Sequence, residues 1–257
     1  MNPLTYIVEP IRLLLTWQPT DEEARSRTRR TVAEVGIDPG GQAVFRYLKG
    51  SSDFEEAQKA GFQGFPAFPL EKAESREGVL EVLMRRLPPH KREDFAEYLR
   101  QHRLPVPFTY SDLTLLGYTG ARLPSDGFAL VPVFPPDAVP CDFLTEVAGL
   151  RHTFNGDIAG IRIGDPVAFE IDSENPVDQD ALAVMHQGRR IGYINRALKE
   201  TFHHWLRSYV VNARIERLNG KPTRPLVHLR VHVTACLPKA GASPCDPITT
   251  VNLKVLV

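Results

Sequence analysis

The stretch that decides the fold is DPVAFEIDSENPVDQDALAVMHQGRRIGYINRAL, residues 165–198. Three strand-like runs, VAFEI, LAVMH and RRIGYI, are separated by two polar interruptions, the pattern of antiparallel neighbours joined by turns. The first interruption crowds Glu174, Asp178 and Asp180 around Asn175-Pro176. The second, His186-Gln187-Gly188-Arg189, suits a tight hairpin turn with Gly188 at positive φ. Asn195 then stands as a helix cap, and Leu198, Phe202, Trp205 and Tyr209 recur at helical spacing.

Outward from this stretch the second half stays strand-like. EVAGLRHTF, PLVHLRVHVTAC and TTVNLKVLV each alternate or carry β-branched residues. Several short strands and one helix predict a small, mostly-β barrel. The first half mixes both periods. Tyr6–Trp17 has strand composition, with Pro10 as an edge or bulge position. The charged run TDEEARSRTRRTVAEVG reads as a hairpin or an exposed helix. Asp38-Pro39-Gly40-Gly41 is a turn, followed by a strand over Ala43–Leu48. Val79, Val82, Leu83 and Leu87 share one helical face, and Pro88-Pro89 stops that helix. A second helix is predicted over KREDFAEYLRQH. Ser111 caps a third, DLTLL, ended by Gly117. FALVPVF, 128–134, is a strand. Pro135, Pro136 and Pro140 stiffen the next segment, so the boundary is set there: an α+β domain over 1–138 and a mostly-β domain over 139–257.

The bulk numbers exclude more than they name. Formal net charge is zero and charged residues make up 24% of 257, ordinary for a folded soluble chain. No apolar run reaches the ~20 residues of a membrane helix. The opening residues lack a basic leader and a cleavage site, and the three cysteines are sparse and odd in number. A cytoplasmic location without a membrane partner is the expectation. Neutrality hides a gradient, however. Residues 145–187 hold two Lys and Arg against eight Asp and Glu, whereas 188–232 hold ten against two. Such a basic segment attracts a polyanion even when the whole chain does not.

The acidic corner fits no metal loop. Asp172, Glu174, Asp178 and Asp180 resemble positions 1, 3, 7 and 9 of a calcium loop. Val177 stands where that loop needs Gly, and Ala183 where it needs a bidentate Glu. A glycosidase-like pair lacks a second carboxylate across a cleft. The reading that survives is a turn in which Asp178 caps free amides. Cys236 and Cys245 stand nine apart with no CxxC pair, and Cys141 and His232 would have to complete a zinc set, which is not zinc-ligand spacing; His203-His204 read as surface residues. No phosphate loop, nucleophile elbow or dinucleotide fingerprint is present. The expectation is therefore no catalytic residue, no metal and no cofactor: a non-enzymatic protein. In the basic half, Arg189, Arg190, Arg196 and Lys199 interleave with Tyr193, Phe202, Trp205 and Tyr209. This composition suits either a phosphate groove with stacking rings or a charged face over an aromatic core.

Val147–Leu198 resembles the HIRAN domain. The carrying motifs occur in order: Gly149-Leu150-Arg151, Asn175-Pro176-Val177-Asp178-Gln179-Asp180-Ala181, Gly192-Tyr193-Ile194 and Arg196-Ala197-Leu198. The resemblance implies an OB-like barrel that binds DNA, single-stranded or at 3′ ends. It implies that Arg151 contacts DNA and that Asp178 holds a terminal 3′-hydroxyl, with Asn175 as its turn partner. His152 and Val177 stand where end-binding members carry stacking tyrosines. The candidate nucleic-acid-binding set is Arg151, His152, Asn175, Asp178, Arg189, Arg190, Tyr193 and Arg196.

The first half resembles the N-terminal subdomain of HipA-type toxin kinases, without a kinase core. Phe45-Arg46-Tyr47, Phe68-Pro69-Leu70, Arg86-Leu87-Pro88, Asp112–Leu116, Gly120 and Asp126-Gly127 carry it. This implies a module that docks a protein partner through residues 1–138. The alternative is a regulator of a toxin–antitoxin or defence system that binds a HipA-like kinase and has no direct DNA role.

Overall fold

The computed structural model describes residues 2–20, 28–123, 125–150, 160–221 and 224–236. Five strands form the first sheet: β1 (Arg12–Trp17), β2 (Arg30–Ile37), β3 (Ala43–Tyr47), β4 (Glu74–Ser75) and β5 (Ala129–Val133). Their order is β4-β3-β2-β1-β5, antiparallel throughout. Helices α1 (Ser52–Lys59), α2 (Val79–Met84), α3 (Phe95–Gln101) and α4 (Asp112–Thr119) lie between β3 and β5 in sequence. Ser51 caps α1 and Ser111 caps α4, each side chain accepting from the amide three residues on.

Four expectations for this half need correction. Residues 30–37 of the charged run form a strand, because Val32, Ala33 and Val35 are fully buried between β1 and β3. Residues 21–27 lie outside the description. Only Arg12–Trp17 of the Tyr6–Trp17 stretch is a strand. Residues 52–59 form α1, which was not foreseen. Finally, α4 runs past Gly117 and stops at Gly120, whose φ is 71°. Gly117 is there for close packing: a Cβ would lie 2.8 Å from Leu13 Cδ2.

The second sheet comprises β6 (Cys141–Glu146), β7 (Pro166–Ile171), β8 (Leu182–His186), β9 (Arg189–Tyr193), β10 (Tyr209–Lys221) and β11 (Arg224–Ala235). Its order is β6-β11-β10-β7-β8-β9. Beyond β6, Ala148 and Tyr193 exchange both backbone hydrogen bonds at 2.8 Å, so the last strand returns to the first and the sheet closes. Gly192 permits this closure, since a Cβ there would come within 2.5 Å of the Ala148 carbonyl oxygen. The β8–β9 turn has positive φ at both Gln187 (49°) and Gly188 (75°), the primed geometry that matches strand twist. A mostly-β domain with one helix is therefore observed. The strands predicted at 165–198 appear as β7, β8 and β9.

That helix is α5 (Lys199–Ser208), preceded by a 3₁₀ turn over Arg196–Leu198 that Asn195 caps. It ends one residue before Tyr209, which instead begins the thirteen-residue β10. Phe202 and Trp205 are fully buried and packed on Phe143 and Phe169 of the barrel. These two rings are core and not stacking platforms; burial of each contributes roughly 1.5–3 kcal/mol. Trp205 also stacks on Phe134 at the end of β5, so one buried cluster runs through both sheets. Residues 237–257, including the predicted strand TTVNLKVLV, are outside the description.

Candidate nucleic-acid interface

The loop between β7 and β8 is built by its own side chains. Asn175 Oδ1 accepts from the amides of Val177 (2.9 Å) and Asp178 (3.1 Å). Asp178 Oδ1 accepts from the Asp180 amide at 3.1 Å, and the Asp178 carbonyl accepts from Ala181 N. Asx chemistry of this kind is what the Asn-Pro-x-Asp spacing favours. It leaves Val177 at the loop tip, 78% exposed.

The carboxylates of the loop point to separate partners. Asp178 receives Lys199 Nζ on both oxygens at 3.0 Å, and Arg196 Nε lies 3.9 Å away. Partial burial works against the Asp178 charge, yet the Lys199 ammonium, the Asp180 amide and Arg196 together hold its pKa below the ordinary carboxylate range. Asp172 accepts from the Tyr193 hydroxyl at 2.7 Å and pairs with Arg190 at 2.5 Å. These contacts, the Tyr193 hydroxyl foremost, also lower the Asp172 pKa. The calcium arrangement is thereby replaced by two separate ion pairs. Among the described residues, no three His, Cys, Asp or Glu side chains converge to hold a metal ion.

Most of the predicted residues fall into one network. Arg190 sits over the Tyr193 ring, 5.2 Å from its centroid. Tyr193 joins Asp172 and Asn175. Asn175 organises Asp178, and Asp178 joins Lys199 and Arg196. Arg196 also reaches Asp53 of α1 at 3.1 Å. Arg189 is exposed and makes no ion pair among the described residues. Arg151 and His152 lie outside the described residues. The chain just before them passes Tyr193 through the Ala148 bridge.

Sequence reasoning missed the roles of three participants. Lys199 was visible only as one turn beyond Arg196 in a basic run. Asp172 was weighed only as a metal ligand. Asp53 belongs to the other half, and nothing local could have announced it. His203 also departs from expectation: it is buried, and its Nε2 lies 2.8 Å from the Asp180 carbonyl oxygen, tying α5 to the acidic loop. No described helix is long and apolar enough to cross a membrane.

No curated protein matches the chain. Two solved structures are similar to part of it. The HIRAN domain of human HLTF is 20% identical over 36% of this chain and 74% of its own, with a TM-score of 0.28. A protein from Lactobacillus plantarum is 18% identical over 35% of this chain and 89% of its own, also with a TM-score of 0.28. The HIRAN domain family model matches residues 141–235, from the first residue of β6 to the last of β11.

Proposed function

We propose that the barrel binds DNA, single-stranded or at a free 3′ end, across the strip formed by β9, the Asn175 loop and the start of α5. The observation that carries this reading is the network itself. Asn175, Asp178, Tyr193 and Arg196, which carry the HIRAN resemblance in the sequence, and Arg190 of the basic run are linked through side-chain and backbone contacts on one stretch of surface. Arg190 and Arg196 are each 44% exposed. A guanidinium has five N–H donors, so each keeps donors for a phosphate after serving its carboxylate. Arg189 adds an uncommitted cation. The Arg190 plane over Tyr193 provides a surface on which a base can stack.

Asp178 suits a terminal hydroxyl. A carboxylate has about four acceptor positions. Lys199 uses one on each oxygen and the Asp180 amide another, which leaves room for one more donor. A 3′-phosphate at the same place meets a negative charge instead. Anisotropy titrations with single-stranded oligonucleotides ending in a 3′-hydroxyl or a 3′-phosphate test this reading. Tighter binding of the hydroxyl end is expected, with Asp178→Asn removing the preference. Equal affinity for both ends in the wild type refutes end capture.

The same proposal keeps the division at 138/139. It assigns residues 1–138 to docking a protein partner, supported by the HipA-type resemblance of that half. A kinase-like protein retained by the full chain in a pull-down, and lost when the surface of that half is altered, is the expected result.

A further inference from the structure

A cleft of about 230 Å³ lies between the two halves, apart from the side chains of the network described above. Its walls come from α3, the end of α4, β5, β6, the 3₁₀ turn, β10 and β11. Its polar lining is unbalanced. His102, Arg122, Arg217 and His228 all face it, against one carboxylate, Glu146. Glu146 is already paired with Arg122. Arg217 gives one Nη to the Gln101 carbonyl oxygen, and it has no carboxylate partner among the described residues. Its buried Nε and the buried Nδ1 of His228 have no hydrogen-bond partner among the described residues. The His102 ring rests against Tyr98, 4.7 Å between centroids.

Native structures leave few buried polar atoms unpaired, and two of them on one cleft call for a common partner. We infer that this cleft binds a small phosphate, free or as a phosphate monoester, held by Arg217, His228 and His102. The donor geometry favours a tetrahedral oxyanion over a carboxylate. A carboxylate is best met by one arginine fork, but here the fork of Arg217 is partly spent on Gln101. The remaining donors come from three separate elements, Arg217 on β10, His228 on β11 and His102 just after α3. The volume exceeds what one water needs, at roughly 30 Å³ each, and leaves space for a short organic group. Burial, reinforced by Arg217, His228 and Arg122, pushes the His102 pKa down to about 4. Burial also lowers the pKa of His228, against the pull of Glu146 and with Arg217 and Arg122 adding to the shift. A bound dianion reverses this balance and raises both.

The test needs no DNA, so its outcome is independent of the proposed interface. Histidine C–H resonances of the full chain are followed while inorganic phosphate is added, with chloride at matched ionic strength as control. Glycerol 3-phosphate is titrated in parallel. Saturable movement of the His102 and His228 resonances with phosphate but not chloride is expected, with both titrating at higher pH when phosphate is bound. The tighter of the two phosphates identifies the class. Losing one charge-assisted donor is worth about tenfold or more in affinity. Arg217→Gln should weaken binding by that much, and His228→Gln provides a second, uncharged variant should the first unfold. Identical responses to phosphate and chloride, or folded variants that titrate like the wild type, overturn the inference.

Discussion

Asp178→Asn should lower stability at neutral pH and leave it nearly unchanged in acid. The Asp178–Lys199 pair is only 17% and 18% exposed, so solvent screens it little. A hydrogen bond to a charged group contributes about 1.5–3 kcal/mol, and the amide retains shape and one acceptor but not the charge. A loss of about 2 kcal/mol is expected at pH 7. For a chain of this size that is a fall of roughly 4–8 °C in Tm. The pH dependence has a definite sign. The folded-state pKa of Asp178 is depressed, so its contribution is complete above the unfolded value of about 3.9 and is lost as pH falls through the folded value. Urea unfolding of wild type and variant at pH 7, and again across the acid range, makes the comparison. The gap between them should narrow steadily below pH ~4. A gap under about 0.5 kcal/mol at pH 7, the level of an ordinary surface change, refutes the reasoning. So does a gap of the same size at both ends of the range.

Two further outcomes follow from the packing. Trp205→Ala should cost about 3–5 kcal/mol; because its ring bridges Phe134 and Phe143, calorimetry should show both halves destabilised together, whereas destabilisation confined to the barrel would contradict a shared core. Gly192→Ala should force β9 away from Ala148, so the amides of Ala148 and Tyr193 should lose hydrogen-exchange protection while those of β1 and β2 keep theirs; retained protection at Ala148 would show that closure does not depend on this glycine.

Where the sequence was legible, local patterns carried the information. β7, β8 and β9 follow from apolar runs cut by an Asn-Pro turn and a Gln-Gly hairpin, and Ser111 and Asn195 cap where expected. β2 was hidden because its apolar residues follow a run of charges that suggests exposure. Tyr209 continued the helical spacing of Phe202 and Trp205, yet pairing with β11 claims it for β10. That competition is decided by a strand far along the chain. The barrel closure at Ala148–Tyr193 and the Arg196–Asp53 contact are also non-local, so no window of sequence displays them. For the interface, the HIRAN motifs picked Asn175, Asp178, Tyr193 and Arg196, and the basic run supplied Arg190. They did not reveal that Asp178 is held by Lys199, or that Asp172 ties Arg190 to Tyr193.

The most direct test of the account is the salt dependence of single-stranded DNA binding by the wild type and by an Arg190→Ala/Arg196→Ala variant. Each phosphate contact on a single strand contributes about −0.7 to the slope of log affinity against log salt. The account predicts measurable binding by the wild type and a slope shallower by about 1.4 in the variant, with the fold retained. Absence of binding at low salt, or a slope that the two substitutions leave unchanged, would contradict it.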